Sequence, residues 1–266
     1  MTDFTTVQLE TDTRGFATLW LNRAEKNNAF NAEMIRELIL ALDAVGEDKS
    51  LRFLLLRGRG KHFSAGADLA WMQQAAGLDY NANLNDAREL AELMYNLAAL
   101  KIPTLAVVQG AAFGGAVGLT SCCDLAIGSE DALFSLSEVR IGLAPAVISP
   151  FVVQAIGERA ARRYALTAER FDGKRACELG LLAECYPADE LESQVDAWVA
   201  NLLLNSPQAM RASKDLLREV ASGELTPALR RYTENAIARI RISPEGQEGL
   251  RAFLEKRTPA WQEPQA

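Results

Sequence analysis

The sequence predicts an α/β fold, and three observations carry this prediction. Short apolar runs of strand length recur along the first half of the chain, and helical or polar segments separate them. The second half lacks such runs and shows helical spacing instead. Alternation of strand and helix favours a parallel sheet built from right-handed crossovers. With 266 residues, 49% of them hydrophobic, the chain can form an ample core. We predict this core over residues 1–200 and a helical region over residues 201–266.

The first predicted elements follow the apolar runs in chain order. The run FATLWLNR (16–23) predicts a strand that leads into a polar loop, and residues 31–45 predict a helix capped by the first of them. RFLLLRG (52–58) predicts a strand buried on both faces because it is continuously apolar. A polar helix hairpin is predicted over 68–100, with its mobile loop at 77–86.

The remaining strands are predicted before Pro150, and only helices after it. Two buried strands are expected at 104–110 and 123–129, and a short one at 133–136. The predicted helices cover 150–165, 188–205, 207–221, 226–242 and a last segment that begins with Ser243 as cap and Pro244 as first residue.

Charge and cysteine content narrow the class of protein. A net charge of −7 argues against a nucleic-acid or membrane-surface protein. The apolar stretch 104–120 contains Gln109 and four glycines, so we expect no membrane span. The first ten residues are polar and acidic, which predicts a cytoplasmic protein. Reduced thiols without metal-ligand spacing are expected at Cys122, Cys123, Cys177 and Cys185.

Two runs of small residues follow buried strands and indicate a binding site. KHFSAGADL (61–69) comes after the predicted strand 52–58, beside the cations Arg57, Arg59 and Lys61. VVQGAAFGGAVGL (107–119) contains neither a dinucleotide fingerprint nor a Walker loop. Either run alone is equally consistent with close strand–helix packing. Together, about 45 positions apart, they can each direct one backbone N–H at a common oxyanion.

The chain resembles the crotonase (enoyl-CoA hydratase/isomerase) family in four motifs of matching order and spacing. These motifs are HFSAGADL, QGAAFGGAVGL, FSLSEVRIGLAP and FLEKRTPAW. The resemblance implies a crotonase-like spiral of ββα repeats with a C-terminal helical trimerisation region. It also implies an acyl-CoA thioester substrate, no cofactor besides the CoA of the substrate, and a homotrimer or a homohexamer formed as a dimer of trimers.

The resemblance also assigns roles to individual positions. Ala67 and Gly115 match the two N–H donors to the thioester oxygen, and Glu138 matches the catalytic glutamate. Ala65 matches the residue whose carbonyl meets the adenine. The predicted substrate and CoA contacts further include Lys26, Ala29, Arg57, Arg59, Lys61, Asp68 and Leu69, with Phe253 and Lys256 supplied by a neighbouring subunit.

The chemistry expected of such a site is the stabilisation of an enolate. Two N–H groups polarise the thioester carbonyl, so the β-carbon becomes electrophilic and the α-protons become acidic. A carboxylate then moves the proton. The apolar neighbours Phe134 and Leu136 should raise the pKa of Glu138 into a useful range.

One position departs from the family pattern. Hydratases of the family that use two glutamates carry the second in the helix after the glycines, where this chain has Gly118. Glu138 would then act alone on a bound water, or the substrate would supply a carboxylate. A Δ3-Δ2 enoyl-CoA isomerase needs only one shuttling base and is therefore the main competing interpretation.

The sequence as a whole is most similar to one group of hydratases. AGADLAWMQQ, SCCDLAIGS and YALTAERFDG look most like bacterial 3-methylglutaconyl-CoA hydratases of leucine and isovalerate breakdown, or the related isohexenylglutaconyl-CoA hydratases of acyclic terpene breakdown. We therefore predict an enoyl-CoA hydratase. An RNA-binding relative is the alternative of another class, and the acidic charge argues against it.

Other catalytic machinery is not indicated. The chain has one histidine, His62, and no G-x-S-x-G elbow, so a Ser-His-Asp triad is not expected. His62 is predicted to be structural or to face solvent. No His, Cys and Asp cluster suggests a metal site.

Overall fold

The computed structural model describes residues 4–262, which form two sheets surrounded by helices. The larger sheet has the strand order β1-β2-β3-β4-β6-β9, and the smaller has the order β5-β7-β8. The strands are β1 Val7–Asp12, β2 Phe16–Leu21, β3 Phe53–Gly58, β4 Thr104–Val108, β5 Ala111–Phe113, β6 Leu125–Ser129, β7 Leu133–Ser135, β8 Phe171–Asp172 and β9 Glu184–Tyr186.

Ten α-helices accompany these strands within residues 4–262. They are α1 Ala32–Glu47, α2 Leu69–Ala75, α3 Tyr80–Ala99, α4 Gly115–Cys122, α5 Ser149–Thr167, α6 Gly173–Leu179, α7 Leu191–Leu203, α8 Pro207–Ser222, α9 Pro227–Ile242 and α10 Pro244–Glu255. None of them is long and apolar enough to cross a bilayer. The predicted α/β class is confirmed.

Each face of the large sheet packs against its own helices. In β3, Leu54 and Leu56 face the main core together with residues of α1, α3 and α4, because alternate side chains of a strand point to opposite faces. Phe53 and Leu55 face the other way, onto α7. Strands covered on both faces read as continuous apolar runs, which is why β3 and β4 were predictable.

Four strands were not predicted. β5, β8 and β9 have only two or three residues each, so none presents a period of its own, and β1 has a largely polar sequence. The expectation of helices alone after Pro150 was wrong, because β8 and β9 lie there and β9 extends the large sheet. The expected loop at 77–86 is mostly helical, since the Asp79 side chain accepts from Ala82 N and starts α3.

Helix starts were predicted more accurately than loops. Asn31 caps α1 by accepting from Met34 N, and Ser243 caps α10 by accepting from Gly246 N. The predicted domain division stays a prediction, and its residue 200 lies inside α7.

The C-terminal helices are anchored to the core by buried cations. Lys214 of α8 is 8% exposed, and its Nζ donates to Asp124 at 2.7 Å and to Ile102 O at 3.0 Å. Arg52 Nη2 donates to Leu203 O at 2.8 Å. These contacts attach the helical region to the sheet that carries the site.

Candidate active site

The two predicted backbone donors, Ala67 and Gly115, follow segments that are paired in parallel. Ser64 and Ala112 form a parallel bridge, with Ser64 N donating to Ala111 O at 3.0 Å. Further along, both predicted donors adjoin Phe30: Ala67 forms a parallel bridge with it, and its ring lies 3.2 Å from a Cβ added at Gly115. Neither of these two N–H groups donates a hydrogen bond within residues 4–262.

Both donors follow a glycine with positive φ. Gly66 has φ +95° and Gly114 has φ +54°, a conformation that favours glycine. A Cβ at Gly66 would lie 3.1 Å from Phe113 O, and one at Gly114 would lie 3.2 Å from Glu138 Oε1. The corners therefore turn each strand end sharply without side chains that would cover the N–H groups.

A buried asparagine holds the loop before α1 against the first donor segment. Asn28 is fully buried, and its Nδ2 donates at 2.8 Å to both Arg59 O and His62 O. Ala65 N donates to Asn27 O at 2.9 Å. The predicted CoA residues Ala29 and Ala65 are thereby brought to the same edge as Ala67.

Both carboxylate oxygens of Asp68 have partners within the protein. Its Oδ1 accepts from Ala70 N at 2.8 Å as the cap of α2, and its Oδ2 pairs with Arg23 at 3.0 Å. Burial would raise the pKa of Asp68, but these donors outweigh it and hold the pKa below the usual range. The next residue, Leu69, is 77% exposed beside the donor edge and offers an apolar contact.

Glu138 is the first residue of a short 3₁₀ helix, Glu138–Ile141, and lies beside Gly114, the residue before the second predicted donor. Its Oε1 lies against Gly114, and its Oε2 is buried without a hydrogen-bond partner. Burial raises the pKa of Glu138 above its ordinary value. A half-buried carboxyl with one unpaired oxygen next to two free N–H groups can carry a proton to or from a bound thioester.

Position 118 has no room for a side chain. A Cβ at Gly118 would collide with Ile148 Cγ2 and would lie 3.2 Å from Met94 Cε. Ile148 therefore occupies the space beside α4 where a second carboxyl would have to stand.

The predicted phosphate contacts fall into two groups. Lys26 and Lys61 are exposed, flank the loop that holds the donor edge, and have no ion-pair partner among the residues the structure describes. Arg57 lies on the face of β3 that packs on α7, where its guanidinium pairs with Glu192 and covers the Trp20 ring. The structure therefore does not bring Arg57 to the donor edge.

Arg59, the other arginine after β3, is also held by partners within the protein. Arg59 lies 3.7 Å from the Trp20 ring centroid and pairs with Glu10 at 2.7 Å. The sequence placed both arginines near CoA because they precede the small-residue run, but strand alternation and these acidic partners direct them elsewhere.

The two predicted contacts from a neighbouring subunit lie at the end of α10. Phe253 is 81% exposed, and Lys256 ends the helix with φ +55°. Both are exposed in this chain, and their role in a neighbour's site stays a prediction.

His62 is structural. Its Nδ1 accepts from Ala111 N at 2.9 Å, and burial, helped by Lys61, lowers its pKa. The ring thus ties the first donor segment to β5. In the part of the chain that the structure describes, no three metal-ligating side chains form a group.

Sequence reasoning missed three residues that shape the site: Asn28, Phe30 and Ile148. The Phe30 ring lies beneath Gly115, where an added Cβ would be 3.2 Å from its Cε2. Asn28 gave a weak signal, because asparagine is enriched at positive φ, which Asn27 and Asn28 both adopt here. Ile148 gave none, since its role depends on a contact with α4.

Comparison with known proteins agrees with this geometry. Residues 11–264 match the family model described as enoyl-CoA hydratase/isomerase. A putative enoyl-CoA hydratase of Thermus thermophilus is 35% identical over 91% of this chain and 96% of its own length. The 2,3-dehydroadipyl-CoA hydratase of Escherichia coli is 30% identical over 91% of this chain and 92% of its own.

A solved structure extends the agreement to the fold. An enoyl-CoA hydratase from Shewanella pealeana superposes with a TM-score of 0.93 at 47% identity, covering 97% of both chains. The matched region includes both donor segments, Glu138 and the C-terminal helices. The chain belongs to the enoyl-CoA hydratase/isomerase (crotonase) family.

Proposed function

We propose that this protein adds water across the α,β-double bond of a 3-substituted glutaconyl-CoA. The candidates are 3-methylglutaconyl-CoA, from leucine and isovalerate catabolism, and isohexenylglutaconyl-CoA, from acyclic terpene catabolism. The observation that carries hydration is the pair of free N–H groups of Ala67 and Gly115 beside the buried carboxyl of Glu138.

The proposed reaction uses these three groups in sequence. The thioester oxygen accepts from both N–H groups, which stabilise the negative charge that develops on it, and removal of one such donor typically costs about 10²–10³ in rate. Glu138 takes a proton from water as the water oxygen bonds to the β-carbon. The enolate then receives a proton at the α-carbon from the same carboxyl, which restores the thioester carbonyl.

Two features support a substrate that carries a distal carboxylate. The similarity of residues 65–74 and 121–129 to glutaconyl-CoA hydratases is one of them. The other is the name of the Escherichia coli relative, since a dehydroadipyl group also ends in a carboxylate.

A panel of thioesters tests this proposal. Hydration would be followed by loss of the enoyl absorbance with 3-methylglutaconyl-CoA, isohexenylglutaconyl-CoA and crotonyl-CoA at matched concentrations. We expect kcat/KM to be at least 10-fold higher for a glutaconyl substrate than for crotonyl-CoA. Equal values for all three would contradict the substrate assignment, and no turnover of any would contradict hydration.

Isomerisation is the second candidate, and one observation favours it. Gly118 and the overlying Ile148 leave Glu138 as the carboxyl at the donor edge, and a Δ3-Δ2 shift needs one carboxyl to remove and return a proton. A 3-enoyl-CoA substrate would separate the two: formation of the 2-enoyl isomer faster than hydration of that isomer would favour isomerase activity.

We further propose that the C-terminal helices join copies of the chain into a trimer or a hexamer. Large apolar side chains on and around α8–α10 are exposed in the single chain, which is typical of a surface covered by a partner. They are Leu217, Leu225, Ile242, Phe253 and Leu254.

A further inference from the structure

Two small positions at the start of α4 have very different coverings. Gly114 is the N-cap residue of α4, and Gly118 lies four residues further along, inside the helix. The carboxyl of Glu138 lies against the first, 3.2 Å from an added Cβ. The side chain of Ile148 lies against the second, with its Cβ 2.9 Å from an added Cβ.

The covering of the second position is rigid hydrocarbon. Ile148 is 3% exposed and lies in the turn between the 3₁₀ helix of Glu138 and α5. Met94 of α3 closes the same space from the other side and is fully buried, with its sulfur 3.8 Å from Cys122 Sγ. Neither group can hold a water or move a proton.

We propose that Ile148 is a specificity-determining residue that makes the site a one-carboxyl site. By filling the space against Gly118, four residues along the chain from the glycine that Glu138 covers, it leaves no room for a second proton carrier and its water there. Proton removal and proton delivery must then both pass through Glu138, from one side of the substrate. This inference rests on the proposed enoyl-CoA chemistry and defines which protein group performs it.

The packing part of this proposal is tested without any substrate. Gly118→Ala adds the Cβ that meets Ile148, so its melting temperature should fall by several degrees. Ile148→Ala removes the obstructing atoms. The double variant Gly118→Ala/Ile148→Ala should therefore lose much less in melting temperature than the sum of the losses in the two single variants. The matched control is Gly77→Ala, in a turn where an added Cβ has its nearest contact at 3.7 Å. A Gly118→Ala protein as stable as wild type would overturn the proposal.

The chemical part is tested in a background that lacks the native base. Two triple variants are compared. The first, Glu138→Gln/Ile148→Ala/Gly118→Glu, has a carboxyl at position 118 in the space opened by Ile148→Ala. The second, Glu138→Gln/Ile148→Ala/Gly118→Gln, has the same shape without a base. With the enoyl-CoA that wild type turns over best, we expect the first to be at least 10-fold faster than the second. Equal rates in two folded proteins would overturn the inference.

The packing test and the chemical test distinguish failure of the Ile148 proposal from failure of the proposed function. If wild type acts on no enoyl-CoA, the proposed function fails whatever the stabilities show. If wild type is active but a glutamate at position 118 is tolerated without Ile148→Ala, only the role of Ile148 fails. If the triple variants do not purify as folded proteins, the melting temperatures of the Gly118 and Ile148 variants decide. Losses that simply add in the double variant would overturn the proposal.

Discussion

At the scale of the residue, the backbone N–H of Ala67 should matter more than its side chain. The ladder contacts around it use Gly66 O and Asp68 N, at 2.8 Å each to Phe30, so removal of the Ala67 N–H breaks no existing hydrogen bond. We expect Ala67→Pro to lower kcat by about 10²–10³ while the protein stays folded. Circular dichroism and gel filtration check folding. A folded variant with more than a tenth of wild-type activity would show that Ala67 is not a donor.

Glu138→Gln should abolish proton transfer while binding persists. The amide keeps the shape of the carboxyl but removes the base, so hydration should fall by at least about 10². The donors are untouched, so Kd for a substrate or product thioester should change little. Near-normal turnover in the folded variant would direct the search for a base to residues 69–90 or to the carboxylate of the substrate.

The same carboxyl should leave a signature in the pH dependence. Because burial raises the pKa of Glu138, the folded protein holds this proton more tightly than the unfolded chain does. This stabilisation is complete below the unfolded pKa and is lost as pH rises through the folded pKa. We expect the melting temperature of Glu138→Gln, relative to wild type, to rise from about pH 4 to about pH 8. In wild type, kcat should increase across the same ionisation, and a flat profile in both assays would contradict the raised pKa.

At the scale of the element, the two faces of β3 separate cations that are adjacent in sequence. Lys61 lies past the strand at the donor edge, whereas Arg57 is held on the α7 face by Glu192 and Trp20. Lys61→Gln and Lys26→Gln should raise KM for acyl-CoA several-fold with little change in kcat, because the phosphates are remote from the reacting bond.

Arg57→Gln is the matched comparison for these lysines. It should leave KM unchanged, and added salt should weaken binding in wild type more than in the lysine variants. A rise in KM for Arg57→Gln equal to that for Lys61→Gln would restore the assignment made from sequence order.

Elements with a strong pattern of their own were predictable, and contacts between elements were not. β3 and β4 are continuous apolar runs, and the caps Asn31 and Ser243 are local signals, so both could be predicted. The donor segments could be located through their small residues. Ile148 could not be predicted, because its effect exists only where the turn before α5 meets α4.

At the scale of the whole molecule, assembly should be linked to substrate binding. Phe253 and Lys256 end α10, and the prediction is that they complete the CoA site of a neighbouring subunit. Sedimentation should then show a trimer or a hexamer for wild type. Phe253→Asp places a charge on this exposed apolar position and should both weaken assembly and raise KM. A monomeric wild type with full activity would contradict the linkage.

The register between Ser64 and Ala112 makes the site sensitive to length rather than to side-chain identity. Two residues separate Ser64 from Ala67 and Ala112 from Gly115, so the placement of the predicted donors depends on the equal length of these two segments. Substitutions along either segment can reshape the surrounding pocket for a new acyl group while leaving the two N–H groups in place. A single inserted or deleted residue in 65–66 or 113–114 displaces one donor relative to the Ser64–Ala112 bridge while the other keeps its place, so the two N–H groups no longer face a common point. Diversification of substrate in this architecture can therefore proceed by exchange of residues, but these two short segments cannot change in length.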